Sequence, residues 1–164
     1  MRPTPIPPKP GQESVWDYPR PARWEDTSKH IKVIFNGTIL AETRQAKRVL
    51  ETSHPPSYYI PREDIKLEHL IETPRKTFCE WKGWACYYKV LVGEKEANNA
   101  VWCFFDPTPD FVPIKGYCCF YARLMDACYV DDELVTPQPG EFYGGWITKD
   151  IVGPFKGEPG TMGW

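Results

Sequence analysis

The chain has 164 residues, 41% of them hydrophobic and 15% aromatic, with 18 prolines and a formal charge of −2. That length suits one domain, and the prolines exclude a helical protein, because proline is tolerated at helix starts and turns but not in helix interiors. The near-neutral charge excludes the dense Lys/Arg footprint of a nucleic-acid or anionic-membrane binder, and no segment reaches the roughly 20 apolar residues of a membrane helix.

Residues 1–24 read as a proline-rich arm. Seven prolines and Gly11 suit polyproline II. Trp16, Tyr18 and Trp24 predict that its second half lies against the body, since a disordered arm seldom carries three such rings. The opening Met-Arg-Pro-Thr-Pro-Ile-Pro-Pro has no apolar run of the signal-peptide kind, so a cytoplasmic location is expected.

The body spans 25–135. Asn36-Gly37 lies between β-branched runs, the strongest short-range hairpin signal, and predicts strands over 31–36 and 38–43. "RQAKRVLE" (44–51) leans to strand. In "HPPSYYIPRED" (54–64) three prolines fix the backbone around a short strand, 58–60. "IKLEHLIE" (65–72) is the one short helix expected, with Asp64 at its start, where a carboxylate suits the helix dipole. From Trp84 the row Trp84, Cys86, Tyr88, Val90 and Val92 alternates with Ala85, Tyr87, Lys89 and Leu91. Both rows are mostly apolar, so both faces should be covered. "AVWCFF" (100–105), "YCCFY" (117–121) and "MDACYV" (125–130) complete a mostly β domain of about eight short strands. The tail, 136–164, is rich in glycine, and its Trp146, Phe155 and Trp164 predict that it wraps over the body.

The six cysteines, Cys79, Cys86, Cys103, Cys118, Cys119 and Cys128, include no Cys-x-x-Cys pair, so zinc spacing is poor and no metal is expected. In a reducing compartment they read as buried thiols rather than bridges. Lys82-Gly83 is no phosphate loop, for the loop's first glycine is missing. Gly83 marks a bulge or a close backbone approach. Lys82, between two tryptophans, either lays its stem along the rings or points its ammonium into a pocket. Cys79 is a candidate nucleophile if a cation or imidazole activates it, with Lys82 near and His54 within reach of strand pairing. His54, Glu51, Tyr59, Arg62 and Asp64 form a polar cluster on the proline-stiffened segment, suited to a site or to a structural turn. Trp81, Trp84 and Trp102 make an aromatic cage or simply core.

"GTILAETRQAKRVLETSHPPSYYIPREDI", "TFCEWKGWACYY", "VWCFFDP" and "IKGYCCFY", in that order, resemble domain-of-unknown-function family 427, which also carries a nucleotidyltransferase-like label. The resemblance covers roughly residues 31–130 and implies a small β-tent fold similar to Mss4-like proteins, without the zinc knuckles that some of these hold. Its pattern implies functional positions at Glu51, His54, Pro55, Pro56, Tyr59, Pro61, Arg62 and Asp64. A second set is Thr77, Cys79, Lys82, Gly83, Ala85 and Tyr87, with Trp102 in a later motif. Phe104 stands where that motif usually has Tyr, Glu80 where Pro is common, and Cys86 where a small hydroxyl residue is common. Nucleotidyltransferases hold a divalent metal on paired carboxylates, whereas Asp131-Asp132 and Glu94-x-Glu96 lie in turn-like contexts.

The expectation is therefore a pocket for a small flat or anionic, nucleotide-like molecule, with no cofactor. Cys79, Lys82 and His54 are its candidate reactive groups, and Tyr59, Arg62, Asp64, Thr77, Tyr87 and Trp102 its ligand-binding groups. Arg62 and Lys82 would favour an anion. Two alternatives stand beside it. One is a protein-interaction or homo-oligomerisation module using the arm or tail. The other is a thiol-dependent enzyme using Cys79 with His54.

Overall fold

The structure is a computed structural model that describes residues 2–164, so Met1 of the expected arm lies outside the described residues. In chain order the strands are β1 (Glu13–Ser14), β2 (Arg23–Asp26), β3 (Ile31–Phe35), β4 (Thr38–Thr43), β5 (Lys47–Leu50), β6 (Ser57–Tyr59), β7 (Leu70–Cys79) and β8 (Gly83–Val92). There follow β9 (Lys95–Cys103), β10 (Cys118–Phe120), β11 (Ala127–Val130), β12 (Glu133–Leu134), β13 (Thr136–Pro137), β14 (Trp146–Ile147) and β15 (Ile151–Val152).

The class is mostly β. Among the described residues seven strands exceed the eight expected: five are two-residue ladders too short to show any alternation in sequence, and the other two are β2 and the ten-residue β7, whose first residues the expected short helix had covered. The β3–β4 hairpin turns on Asn36 (φ 48°) and Gly37 (φ 73°), both left-handed as a type I′ turn requires. The segment 65–72 contains a single 3-10 turn, Leu67–His69, before the chain enters β7. It is one turn long because Leu70 and Ile71 join the ladder with Val90 and Lys89.

Two four-stranded sheets, β12-β11-β3-β4 and β10-β9-β8-β7, supply the main core. Ile31, Val33, Phe35 and Leu40 from one meet Val90, Val101 and Phe120 from the other. A three-stranded sheet, β2-β5-β6, flanks them. Beyond Tyr59, Ile60 and Cys118 exchange backbone hydrogen bonds of 2.8 and 2.9 Å, which joins this sheet to the β10 edge. A second apolar cluster then forms on the other face of β8–β10, from Val49, Tyr59, Ala85, Tyr87, Trp102 and Tyr121.

Two expectations need correction. The two rows of β8 are not both covered: Trp84 is 60% exposed. Each row is covered over only part of its length: Ala85 and Tyr87 bury in the cluster on one face, Val90 and Val92 bury in the main core on the other, and the row of Trp84 is left open at the hairpin end. The cysteines are not all thiols either. Cys103 and Cys118, opposed on β9 and β10 with Cα atoms 4.7 Å apart, form a disulfide. Cys119 and Cys128 are buried thiols, and Cys79 and Cys86 are half-buried ones.

The arm and tail cover one another. β1 runs parallel to β15, and Val15, Trp16 and Tyr18 bury with Leu50 and Ile151. Arg48, with a side chain only 8% exposed, is held by both acids beside it. Its Nε donates to Glu25 at 2.9 Å, a terminal nitrogen donates to Glu13 at 3.1 Å, and the Tyr18 hydroxyl donates to Glu13 at 2.6 Å.

Candidate functional site

The stiff segment through Pro55, Pro56 and Pro61 and the tip of the β7–β8 hairpin face each other across a cavity of about 290 Å³. The hairpin tip is fixed from outside. Gly83 has φ +103°, and a Cβ there would stand 3.2 Å from the Asp106 carbonyl, so only glycine fits without displacement. Thr108 adds two bonds, its N–H donating to the Lys82 carbonyl at 3.1 Å and its hydroxyl to the Trp81 carbonyl at 2.6 Å. The Lys82 ammonium thus lies over two rings at the cavity, 5.8 Å from the Phe104 centroid and 5.9 Å from that of Phe111.

The walls are aromatic: Tyr59, Tyr87, Trp102, Phe104 and Tyr121, with Val49 and Ala85. Trp102 and Tyr121 lean together at 4.7 Å between centroids. The polar groups are Glu51, His54, Ser57, Thr77, Cys79, Glu80, Lys82, Gln138 and Lys156. The tail closes the far side with Phe142, Tyr143 and Gly144, and the Tyr121 hydroxyl donates to the Phe142 carbonyl at 2.7 Å.

His54 has a defined tautomer. The Gln138 carbonyl oxygen accepts from the Gly145 N–H at 2.9 Å, and its amide nitrogen donates to the Lys156 carbonyl at 2.8 Å, so the amide cannot be flipped. That nitrogen therefore also donates to His54 Nδ1, 3.1 Å away, and the ring proton sits on Nε2, 3.6 Å from a Glu51 oxygen. Burial, then the charges of Lys156, Lys82 and Arg20, bring the His54 pKa down to about 3. The short distance to Glu51 does not make this an ion pair: the imidazole is neutral, because burial and three cations outweigh one carboxylate that Arg20 also approaches at 4.0 Å.

Thr77 and Tyr87 join their hydroxyls at 2.9 Å beneath the hairpin. Burial, then Tyr87 beside it, pushes the Tyr121 phenol above its ordinary value. Burial, and then Cys119, raises the Tyr59 phenol well above its own. These hydroxyls stay protonated at neutral pH and are able to donate.

Of the residues singled out in sequence, His54, Tyr59, Thr77, Cys79, Lys82, Tyr87 and Trp102 line this one cavity, with Glu51 and Trp81. Arg62 and Asp64 do not. The 3-10 turn Arg62–Asp64, which follows Pro61, turns them away from the cavity. The Arg62 guanidinium lies 5.3 Å from the Phe105 ring centroid, and Asp64 accepts from the Thr43 hydroxyl at 2.6 Å. Trp84 is on the outer face against Phe78, 5.2 Å between centroids, so the cage of three tryptophans does not form. Sequence reasoning missed Tyr121, Gln138, Tyr143 and Lys156; only the tail's aromatic content hinted that it comes near. Among the described residues no three His, Cys, Asp or Glu side chains gather as a metal site would require.

A family model described as a domain of unknown function (DUF427), with a nucleotidyltransferase-like label, matches residues 23–131. No curated protein matches the chain.

Proposed function

The chain belongs to the DUF427 family, and within that fold we propose that the cavity receives a small, flat organic anion of mononucleotide size or less. One observation carries this reading. Lys82 and Lys156 border an aromatic-walled cavity, and among the described residues neither has a carboxylate within 4.0 Å. Two such cations favour an anionic group, and their charges, which add to burial in lowering the His54 pKa, attract one. The rings of Tyr87, Trp102 and Tyr121 offer faces for the flat part. A volume of about 290 Å³ lies at the lower end of small-molecule sites, roughly 300–1,000 Å³, which favours a single ring system with one charged group over a dinucleotide.

In this reading Lys82 and Lys156 hold the charge, while Thr77 and Tyr87 offer hydroxyls to the ligand. Cys79 is a wall residue. The thiol-enzyme alternative is weakened because His54 Nδ1 is already occupied by Gln138 and Nε2 carries the proton, so the imidazole has no free lone pair to take a thiol proton. The interaction-module alternative is weakened because the arm's rings are covered by the chain's own tail. A cytoplasmic location belongs to the same proposal; among the described residues no helix is long and apolar enough to cross a membrane.

The test is a thermal-shift and calorimetry screen of nucleoside monophosphates and aromatic carboxylates. The expected result is stabilisation of the wild type by at least one such anion, lost in Lys82→Ala and Lys156→Ala. No shift with any of them would overturn the proposal. Alkylation of Cys79 faster than a model thiol at neutral pH would restore the thiol-enzyme reading.

A further inference from the structure

On the face of the β7–β10 sheet opposite the cavity, four residues stand in one row across four strands. Lys76 on β7 opposes Cys86 on β8, Cys86 opposes Cys103 on β9, and Cys103 opposes Cys118 on β10. Directly opposed residues of antiparallel neighbours project from the same face, about 4.8 Å apart strand to strand. Cys103 and Cys118 are joined and fully buried. Cys86 is a half-buried free thiol. The Lys76 ammonium donates to Cys86 Sγ at 3.5 Å, a positive charge set against that sulfur.

From this row we infer that Cys86 is the exchange thiol of the Cys103–Cys118 disulfide, and that the row is a thiol–disulfide exchange site served by a low-molecular-weight thiol. The disulfide is closed to solvent, so a small thiol cannot reach it directly, while Cys86 has access to both. The approach direction also suits the chemistry. Exchange needs the attacking sulfur in line with the bond it breaks. The row sets Cys86 on the far side of Cys103 from Cys118. Because Cys86 and Cys103 are paired across β8 and β9, rotation about χ1 is the motion that would turn Sγ from Lys76 towards Cys103.

The steps balance. Cys86 loses its proton, and its thiolate attacks Cys103 Sγ. The Cys86–Cys103 bond forms as the Cys103–Cys118 bond breaks, and the electron pair leaves on Cys118, which takes up a proton. A first external thiol attacks Cys86 and frees Cys103 as a thiol. A second attacks the resulting mixed disulfide, returns Cys86 to a thiol and leaves as the oxidised small disulfide. Two external thiols are oxidised and one protein disulfide is reduced. The reverse sequence oxidises the protein. Disulfides of reducing compartments are characteristically transient or redox-sensing, which agrees with a bond that has its own access route.

The experiment uses the full chain with reduced glutathione as the probe thiol, acid quenching, alkylation and mass mapping of cysteine peptides. In the wild type, a Cys86–Cys103 linkage with alkylated Cys118 is expected before full reduction. Cys86→Ser should slow reduction of the Cys103–Cys118 bond at least about tenfold. Lys76→Met, at an exposed position, should slow it by less, on the order of threefold. Cys118→Ser, oxidised mildly, should form the Cys86–Cys103 bond, which reports reach even if reduction rates are altered by local opening. Equal rates in wild type and Cys86→Ser would overturn the inference, as would failure of Cys118→Ser to form that bond. A mapped oxidised wild type without a Cys103–Cys118 linkage would overturn it as well. The row lies on the opposite face from the cavity, so these outcomes are independent of ligand binding there.

Discussion

Two groups of cations sit in this protein, and they are treated in opposite ways. Arg48, under the arm, is buried and fully answered: Glu13 and Glu25 accept its hydrogen bonds, and Tyr18 ties Glu13 in turn. Lys82 and Lys156, at the cavity, have no carboxylate within 4.0 Å among the described residues and lie over ring faces. A satisfied buried charge holds structure, because removing it strands its partners. A cation left unpaired beside a hollow adds little to stability and keeps its field for something else.

The largest test of that contrast is Arg48→Met. It leaves two carboxylates facing a non-polar side chain, and urea unfolding should show a loss of about 3 kcal/mol. That is the lower part of the usual range, because the Glu13 side chain is 44% exposed and can rehydrate. Ligand binding at the cavity should be unchanged. A loss below about 0.5 kcal/mol would mean that the Arg48 cluster is surface decoration.

Next comes the pH dependence of His54. Its folded-state value, about 3, lies below its ordinary 6.5. As pH falls below 6.5 the unfolded chain takes the proton and the folded chain does not, so stability drops from there down to about pH 3. Above pH 6.5 His54 contributes no slope. The cost approaches about 1.4 kcal/mol per pH unit within that window, and His54→Gln should flatten the curve by that slope. An imidazole resonance of His54 titrating near pH 6.5 in NMR would contradict it.

Gly144→Ala should have a smaller effect on stability and a sharper one on the cavity. A Cβ there stands 2.4 Å from the Trp102 ring, so Trp102 must shift. The expected cost is about 1–3 kcal/mol, with weakened ligand binding; unaltered binding would take Trp102 out of the ligand's surroundings. Smallest in stability is Lys82→Ala, within about 0.5 kcal/mol of wild type, but with at least a tenfold loss of anion affinity. If Lys82→Ala instead destabilises like Arg48→Met, the two groups of cations do not differ in kind.

Much of the fold was legible because it rests on local chemistry. Asn36-Gly37 specifies its turn by needing positive φ at both positions. The prolines at 55, 56 and 61 fix a stiff segment wherever it ends up, and Gly83 signals a crowded backbone without saying what crowds it. Most of the pocket residues were legible for a related reason: polar groups inside apolar strands are costly unless used. Arg62 and Asp64 were misplaced because that rule gives no direction, and one 3-10 turn after Pro61 decided theirs. The open end of β8 at Trp84 was not legible because alternation shows that both rows are apolar but not how far along each row a neighbouring layer reaches.

The amino-acid sequence by itself determined the mostly β class, the first hairpin, and a set of polar and aromatic residues on two stiff segments. Only the tertiary structure decided that these segments meet around a cavity, that Gln138 and Lys156 reach in from the tail to set the His54 tautomer, and that three cysteines fall into one row. Each of these is a register or a contact between residues far apart in the chain. Such pairings are fixed by the packing of whole sheets, while local propensity determines only the pieces.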